Sequence, residues 1–212
     1  MAPNKTFEYE ERAFLAEDQF LQVKHELDKA AQTSTLDNKI SYFFVLPDVN
    51  VSIASSPYQT VVKYKGGQLG KGNGFEEHEF SIQPDALPEA IKLFTSLLKL
   101  EPQVSEQFRM NYDMGNNIEV ALKYTQMWGF HLELEKVYTA TDATKPGQAA
   151  QAKQELDTVA EQLGIHFITD EAMERFKAEG QQGMHRGQYS AEEFRAKYGG
   201  LFSKVADSPL EV

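Results

Sequence analysis

The chain has 212 residues and a hydrophobic complement of 41% that includes 14 Phe and 9 Tyr. That is enough apolar matter for a core, excludes a wholly disordered chain, and at roughly 150 residues per domain makes one elaborated domain the default. No run approaches the ~18 apolar residues of a membrane helix, zero cysteines exclude disulfides and thiol chemistry, and 32 acids against 21 bases disfavour wrapping a nucleic-acid duplex. The N-terminal MAPNKTFEYEER has no apolar h-region, which points to the cytosol.

In chain order, alternating patterns predict strands over about 6–14, 41–46, 50–54, 59–66, 75–83, 105–113, 117–124 and 130–138. Helices are expected over 17–31, where Phe20, Leu21, Val23, Leu27 and Ala31 form an apolar stripe, over 85–100, and over 148–163. Shorter helices fall near 170–179 and 190–198, the latter with Ser190 and Glu193 at capping-box spacing. Gly66–Gly74 reads as a long hairpin connection. It is not a phosphate loop, because Gly72 follows Lys71 where Ser or Thr is required. Asp113–Asn117 reads as a tight hairpin, and 139–147 as a linker into a helical tail.

Side chains alternate faces along a strand, so parity assigns each one to a side. Phe7 and Tyr9 oppose Glu8, Glu10 and Arg12; Val62 and Tyr64 oppose Lys63 and Lys65. His78, Phe80 and Ile82 oppose Glu77 and Glu79; Phe108, Met110 and Tyr112 oppose Arg109 and Asn111. Ile118, Val120 and Leu122 oppose Glu119 and Lys123, and Phe130, Leu132 and Leu134 oppose His131, Glu133 and Glu135. A solvated antiparallel sheet would alternate too, yet these polar faces sort into Glu-x-Glu and basic-x-basic strands. Eight such strands can close into a barrel. The expectation is an α+β fold: an eight-stranded antiparallel barrel at about 5–140 with a charged lumen. Helices pack outside it, and a helical extension at about 146–205 completes a single domain.

These elements, in this order, resemble the CYTH superfamily, or triphosphate tunnel metalloenzymes, which joins class IV adenylate cyclases with thiamine-triphosphatase-like and tripolyphosphatase enzymes. Glu8-Tyr9-Glu10-Glu11-Arg12 matches its Glu-x-Glu-x-Lys signature with Arg for Lys, and Lys63-Tyr64-Lys65 stands for Arg-x-Arg. Glu77-Glu-His-Glu is similar to its Glu-x-Glu strand, Arg109 to its later basic strand, and Gly129-Phe-His-Leu-Glu-Leu-Glu135 to Gly-x-Phe-x-Glu-x-Glu. The resemblance implies Mg2+ or Mn2+ held by Glu8, Glu10, Glu133 and Glu135, with Glu8, Glu10 and Arg12 carrying the chemistry. It also implies phosphate bound by Arg12, Lys63, Lys65, Arg109 and Lys123, with Glu77, Glu79 and His131 as supporting neighbours. Lys123 is a departure, standing where the family places an Asp. The tail around Tyr189 resembles a segment that closes one barrel end in the family.

The implied function is hydrolysis of a triphosphate (ATP, thiamine triphosphate or tripolyphosphate). The alternatives are an adenylate cyclase and, because of Lys123, a non-catalytic nucleotide or polyphosphate module. Neither a nucleic acid nor a membrane is an expected partner, and a homodimer is compatible with the sequence.

Overall fold

The computed structural model describes residues 6–46, 49–66, 75–139, 147–181 and 186–202. Most of the glycine-rich connection after Gly66 and most of the expected linker after Thr139 lie outside the described residues. Among the described residues, nine strand segments form one antiparallel sheet: β1 (Thr6–Phe14), β2 (Thr33–Leu36), β3 (Lys39–Val45), β4 (Val49–Ser55), β5 (Thr60–Gly66), β6 (Phe75–Ile82), β7 (Gln103–Gly115), β8 (Ile118–Thr125) and β9 (Gly129–Thr139). The strand order is β2-β7-β3-β4-β5-β6-β1-β9-β8, and β8 pairs back onto β7, so eight segments form a hydrogen-bonded ring.

The ninth segment, β2, is a departure from the expectation of eight. Thr33–Leu36 pairs with the second half of β7, from Leu36 opposite Met110 to Thr33 opposite Asp113. The first half of β7 pairs with β3, from Lys39 opposite Gln107 to Phe43 opposite Gln103. The two segments are one long strand bent at Asp37–Asn38. Thr33-Ser-Thr-Leu carries no apolar alternation because three of its four residues face solvent, so periodicity has nothing to detect there.

Among the described residues, five α-helices cover the outside: α1 (Glu17–Ala30), α2 (Leu87–Leu98), α3 (Gln148–Leu163), α4 (Asp170–Gln181) and α5 (Ala191–Tyr198). α1 buries Phe20, Val23 and Leu27 at helical spacing, with Glu17 and Asp18 in its first turn and Lys29 in its last, complementing the helix dipole. α3 buries Ala152, Leu156, Val159, Ala160 and Leu163. It ends at Gly164, whose left-handed φ of 65° lets its N–H reach the carbonyls of Ala160 and Glu161. α5 starts at the anticipated capping box, in which Ser190 accepts from the Glu193 amide and Glu193 accepts from the Ser190 amide.

Two cores result. The larger joins the outer faces of β1, β7, β8 and β9 (Tyr9, Ala13, Phe108, Tyr112, Val120, Leu122, Tyr124, Leu132, Leu134) to α1, α3 and α5. Its centre is aromatic: the Tyr124 and Phe194 rings stack 4.0 Å apart at 9°. The smaller joins Phe44, Val51, Ile53 and Val62 to α2, with Phe94 packed on Phe44. Most apolar parity positions therefore face outward onto helices in the two cores, while Tyr64 and Phe80 face outward to solvent. The ionised set is left on the inside of the ring. No helix among the described residues is long and apolar enough to cross a membrane.

Candidate active site

β1 and β9 run side by side in a register that sets Glu10 opposite Glu135 and Arg12 opposite Glu133. β8 sets Ala121 opposite Glu133 and Lys123 opposite His131. The small Ala121 leaves room beside Glu133, and Lys123 reaches across the strand gap to it. Carboxylate oxygens of Glu10, Glu133 and Glu135 lie within 4.8 Å of one another. Three acids converge in the part of the ring that the apolar core backs on its other side.

Cations are interleaved with these acids. Arg12 contacts Glu10 and reaches Glu133 Oε1 with its Nε at 3.1 Å. Lys123 pairs with the other oxygen of Glu133. Lys65 lies 3.1 Å from Glu8 and 3.7 Å from Glu10. Arg109, directly across from Lys123 in the β7–β8 register, contacts Asn111 and stands 3.7 Å from Asp37. The glutamate signature, the basic strand and the late Gly-x-Phe strand, separated by more than a hundred residues of chain, thus meet in one network.

Glu10 is enclosed, with a side chain only 1% exposed. Neither of its oxygens accepts a hydrogen bond. Although Arg12 contacts it, a buried carboxylate that accepts no hydrogen bond is costly, and burial pushes its carboxyl up to about 7, with Arg12 pulling the other way and Glu133 adding to the push. Glu133 is less enclosed, with a side chain 14% exposed, and burial favours its neutral form too. Lys123, then Arg12 and Arg109, nevertheless hold it well below the usual carboxylate range. Burial draws Lys123 down, and Arg109 across the strand gap adds to that. Burial, with Lys123 and Arg12 assisting, leaves His131 near 4 despite Glu133, so it is neutral at pH 7. Its Nδ1 lies 2.9 Å from the Gly129 carbonyl.

Other expected residues lie farther out. Lys63 pairs with Glu79 at 2.9 Å, with side chains 32% and 56% exposed, so this pair sits at an open part of the wall. Glu77 stands opposite Lys65 in the β5–β6 register. His78 points outward beside Tyr64, as its parity implied. Trp128 is a packing anchor: its ring meets Phe176 of α4 at 4.5 Å, and Phe14 and His131 within 6 Å. Tyr189 does not plug the barrel. Its ring lies against Tyr124, Phe130 and Tyr198 of the outer core, and its hydroxyl donates to Glu17 at 2.7 Å. The cause is the adjoining capping box, which starts α5 there and fixes Tyr189 at the core edge.

Sequence reasoning missed Asp37, Lys39 and Glu119 as members of the network. Lys39 pairs with Asp37 at 2.9 Å, and burial, with Arg109 and Lys123 acting in the same direction, lowers it to about 8 against the pull of Asp37. Glu119 is raised by burial first and by Glu135 next. The signal for Lys39 was present, since Lys39 and Ser41 alternate with Ile40, Tyr42 and Phe44. The expected strand simply began two residues late.

No protein-family model matches the chain, and no curated protein matches it. Solved structures do. The PH1012 protein of Pyrococcus horikoshii is 21% identical with a TM-score of 0.58, over 75% of this chain and 91% of that one. A Vibrio parahaemolyticus protein described as a candidate adenylate cyclase is 15% identical with a TM-score of 0.57, over 75% and 89%. The Hippeastrum protein HpAC1, a candidate adenylyl cyclase described as having a dominant triphosphatase activity, is 14% identical with a TM-score of 0.53, over 76% and 89%. This chain has the fold of these proteins.

Proposed function

We propose that this chain, whose fold is the CYTH-type tunnel fold, is a divalent-metal-dependent enzyme that hydrolyses an organic or inorganic triphosphate inside the ring. The observation that carries the reading is the convergence of Glu10, Glu133 and Glu135 amid Arg12, Lys65, Lys123 and Arg109. Hard divalent cations take oxygen ligands, and Glu10 offers two buried oxygens that accept no hydrogen bond, so the donor set fits Mg2+ or Mn2+. Glu10, Glu133 and Glu135 would hold the cation, with Glu8 at their edge beside Lys65. Bound there, the ion supplies positive charge to phosphoryl oxygens and acidity to a coordinated water.

The chain's own residues do the rest. Arg12 and Arg109 present planar forks suited to non-bridging phosphate oxygens, whereas Lys65 and Lys123 act as point charges. Phosphoryl transfer asks for positioning and charge neutralisation rather than a nucleophilic side chain. An enclosed lumen strengthens each of those interactions by excluding water. Neutral His131, oriented by the Gly129 carbonyl, adds a dipole and no charge.

The Lys123–Glu133 contact favours a second reading, a module that binds triphosphate without turning it over, because an ammonium already occupies one of the three carboxylates. A cyclase, in which the ribose hydroxyl attacks the α-phosphorus of ATP, would use the same cage. One panel separates the three: ATP, thiamine triphosphate and tripolyphosphate, each with Mg2+ or Mn2+, reading phosphate, pyrophosphate and cyclic AMP separately. Phosphate alone selects the hydrolase, and cyclic AMP with pyrophosphate the cyclase. Tight calorimetric binding with no product selects the module. Absence of binding and product overturns all three.

A further inference from the structure

The bend between β2 and β3 builds a second cationic group on the wall beside the glutamate cluster. Asp37 and Asn38 stand across from β7 where the chain passes from one strand segment to the next. Asp37 donates its amide to the Arg109 carbonyl at 2.9 Å. The Arg109 amide in turn donates to Asn38 Oδ1 at 3.0 Å, so the backbone of Arg109 is fixed from both directions. Lys39, the first residue of β3, shares its face with Ser41, opposite the Ile40, Tyr42 and Phe44 set that α2 partly covers. It therefore projects to the same interior as Arg109.

The acceptors on this wall are shared out thinly. Asp37 serves Lys39 at 2.9 Å and Arg109 at 3.7 Å. Glu133 serves Lys123 and Arg12. Arg12 also has Glu10, whereas Lys39, Arg109 and Lys123, with side chains no more than 15% exposed, pair with Asp37 and with one oxygen of Glu133. Burial and the like charges of Arg109 and Lys123 pull Lys39 down toward 8. Like charge at Arg109 and Lys123 thus adds to burial in disfavouring the Lys39 ammonium. A tetrahedral oxyanion placed among them would supply the missing acceptor oxygens and relieve the repulsion.

We propose that Lys39, Arg109 and Lys123 form a phosphate subsite distinct from the Arg12–Lys65 side of the glutamate cluster, and that Lys39 is the residue through which the lumen selects chains of three phosphates over two. The inference rests on the triphosphate reading and adds a ligand-gripping residue to it. Arg12 and Lys65 hold the phosphates nearest Glu10. The Lys39 group holds the phosphate that a shorter chain lacks. The shared chemistry is an oligophosphate, free or esterified.

The test is calorimetric titration of tripolyphosphate, pyrophosphate and ATP into wild type, Lys39→Met and Lys39→Arg. Met keeps the aliphatic stem and removes only the ammonium, so the fold is retained and its thermal midpoint is measured alongside. Wild type should prefer tripolyphosphate over pyrophosphate, and Lys39→Met should cut that preference by about tenfold or more while leaving pyrophosphate affinity nearly unchanged. Lys39→Arg should restore it. A parallel loss for ATP extends the subsite to esterified chains; ATP unaffected beside a loss for tripolyphosphate restricts it to free ones. A tripolyphosphate-to-pyrophosphate ratio in Lys39→Met equal to that of wild type overturns the subsite alone. Wild type that binds none of the three ligands overturns the triphosphate reading itself.

Discussion

The ammonium of Lys123 rests on the carboxylate of Glu133, one of three glutamates that converge inside the ring. An internal cation therefore neutralises an acid that would otherwise be available to a metal. Lys123→Asp reverses that charge. At about 6 Å and an effective dielectric near 20, each unit charge is worth roughly 2–3 kcal/mol. Titration of Mn2+ should show affinity rising by about 10²-fold or more, and the thermal midpoint without metal should fall because a fourth acid joins the cluster. Equal Mn2+ affinity in the two proteins would mean that Lys123 and the ion do not compete.

Glu10 gives the site a pH dependence. Its carboxyl titrates near 7 in the folded chain, pushed there by burial, against about 4.3 for an exposed glutamate. Because the folded state holds the proton more tightly, the metal-free protein should lose stability as pH rises from about 4.5 to 7 and level off beyond. Glu10→Gln should remove most of that slope. Mn2+ binding to wild type should also release close to one extra proton at pH 6 relative to pH 8, readable from the heats in buffers of different ionisation enthalpy. The release should vanish in the Gln variant.

Most of this site was legible before any coordinate, and for a definable reason. Glu10, Arg12, Lys123, Glu133 and Glu135 alternate with buried Tyr9, Ala13, Leu122, Tyr124, Leu132 and Leu134, and Glu8 and Lys65 follow the same alternation, so parity alone puts them on one side. What parity cannot see is which opposite charges touch. The Arg12–Glu133 and Lys123–Glu133 contacts depend on register between strands far apart in sequence. Lys39 was hidden for another reason. It follows Asp37 and Asn38, residues that normally mark a turn, and the strand continues through them because β7 pairs with both sides of the bend. Lys63 and Glu79 show the converse limit: correct parity, yet an open position on the wall.

The outer core should be sensitive at Phe194. Its ring stacks on Tyr124 and touches Phe108, Phe130, Tyr198 and Phe202, with no exposure to solvent. Phe194→Ala removes a ring through which α5 packs on the barrel's aromatic centre. Such truncations cost about 3–5 kcal/mol. Urea unfolding should show a loss of that size with an unchanged denaturant slope. A loss below about 1 kcal/mol would mean that α5 is a loosely attached appendage.

A polar clasp fastens the same tail to the start of α1. The Glu17 carboxylate accepts from the Tyr189 hydroxyl at 2.7 Å, Lys197 Nζ at 2.7 Å, Gln188 Nε2 at 2.6 Å and the Tyr198 hydroxyl. The hydrogen bonds from Lys197, Tyr198 and Tyr189 lower the Glu17 carboxyl to about 2. A depressed acid stabilises the fold above its unfolded value, and that contribution disappears as pH falls from about 4.5 toward 2. The clasp is open to water, so its net worth is modest, about 1 kcal/mol. Glu17→Gln should therefore lower stability slightly at pH 7 and flatten the acid limb of the stability profile between pH 4.5 and 2. Because Gln188 and Tyr189 follow directly on Arg186 and Gly187, whose backbone amides bond to the β8–β9 turn, amide exchange in that turn should accelerate in the same variant. Exchange there at the wild-type rate would mean that the aromatic stack alone holds the tail.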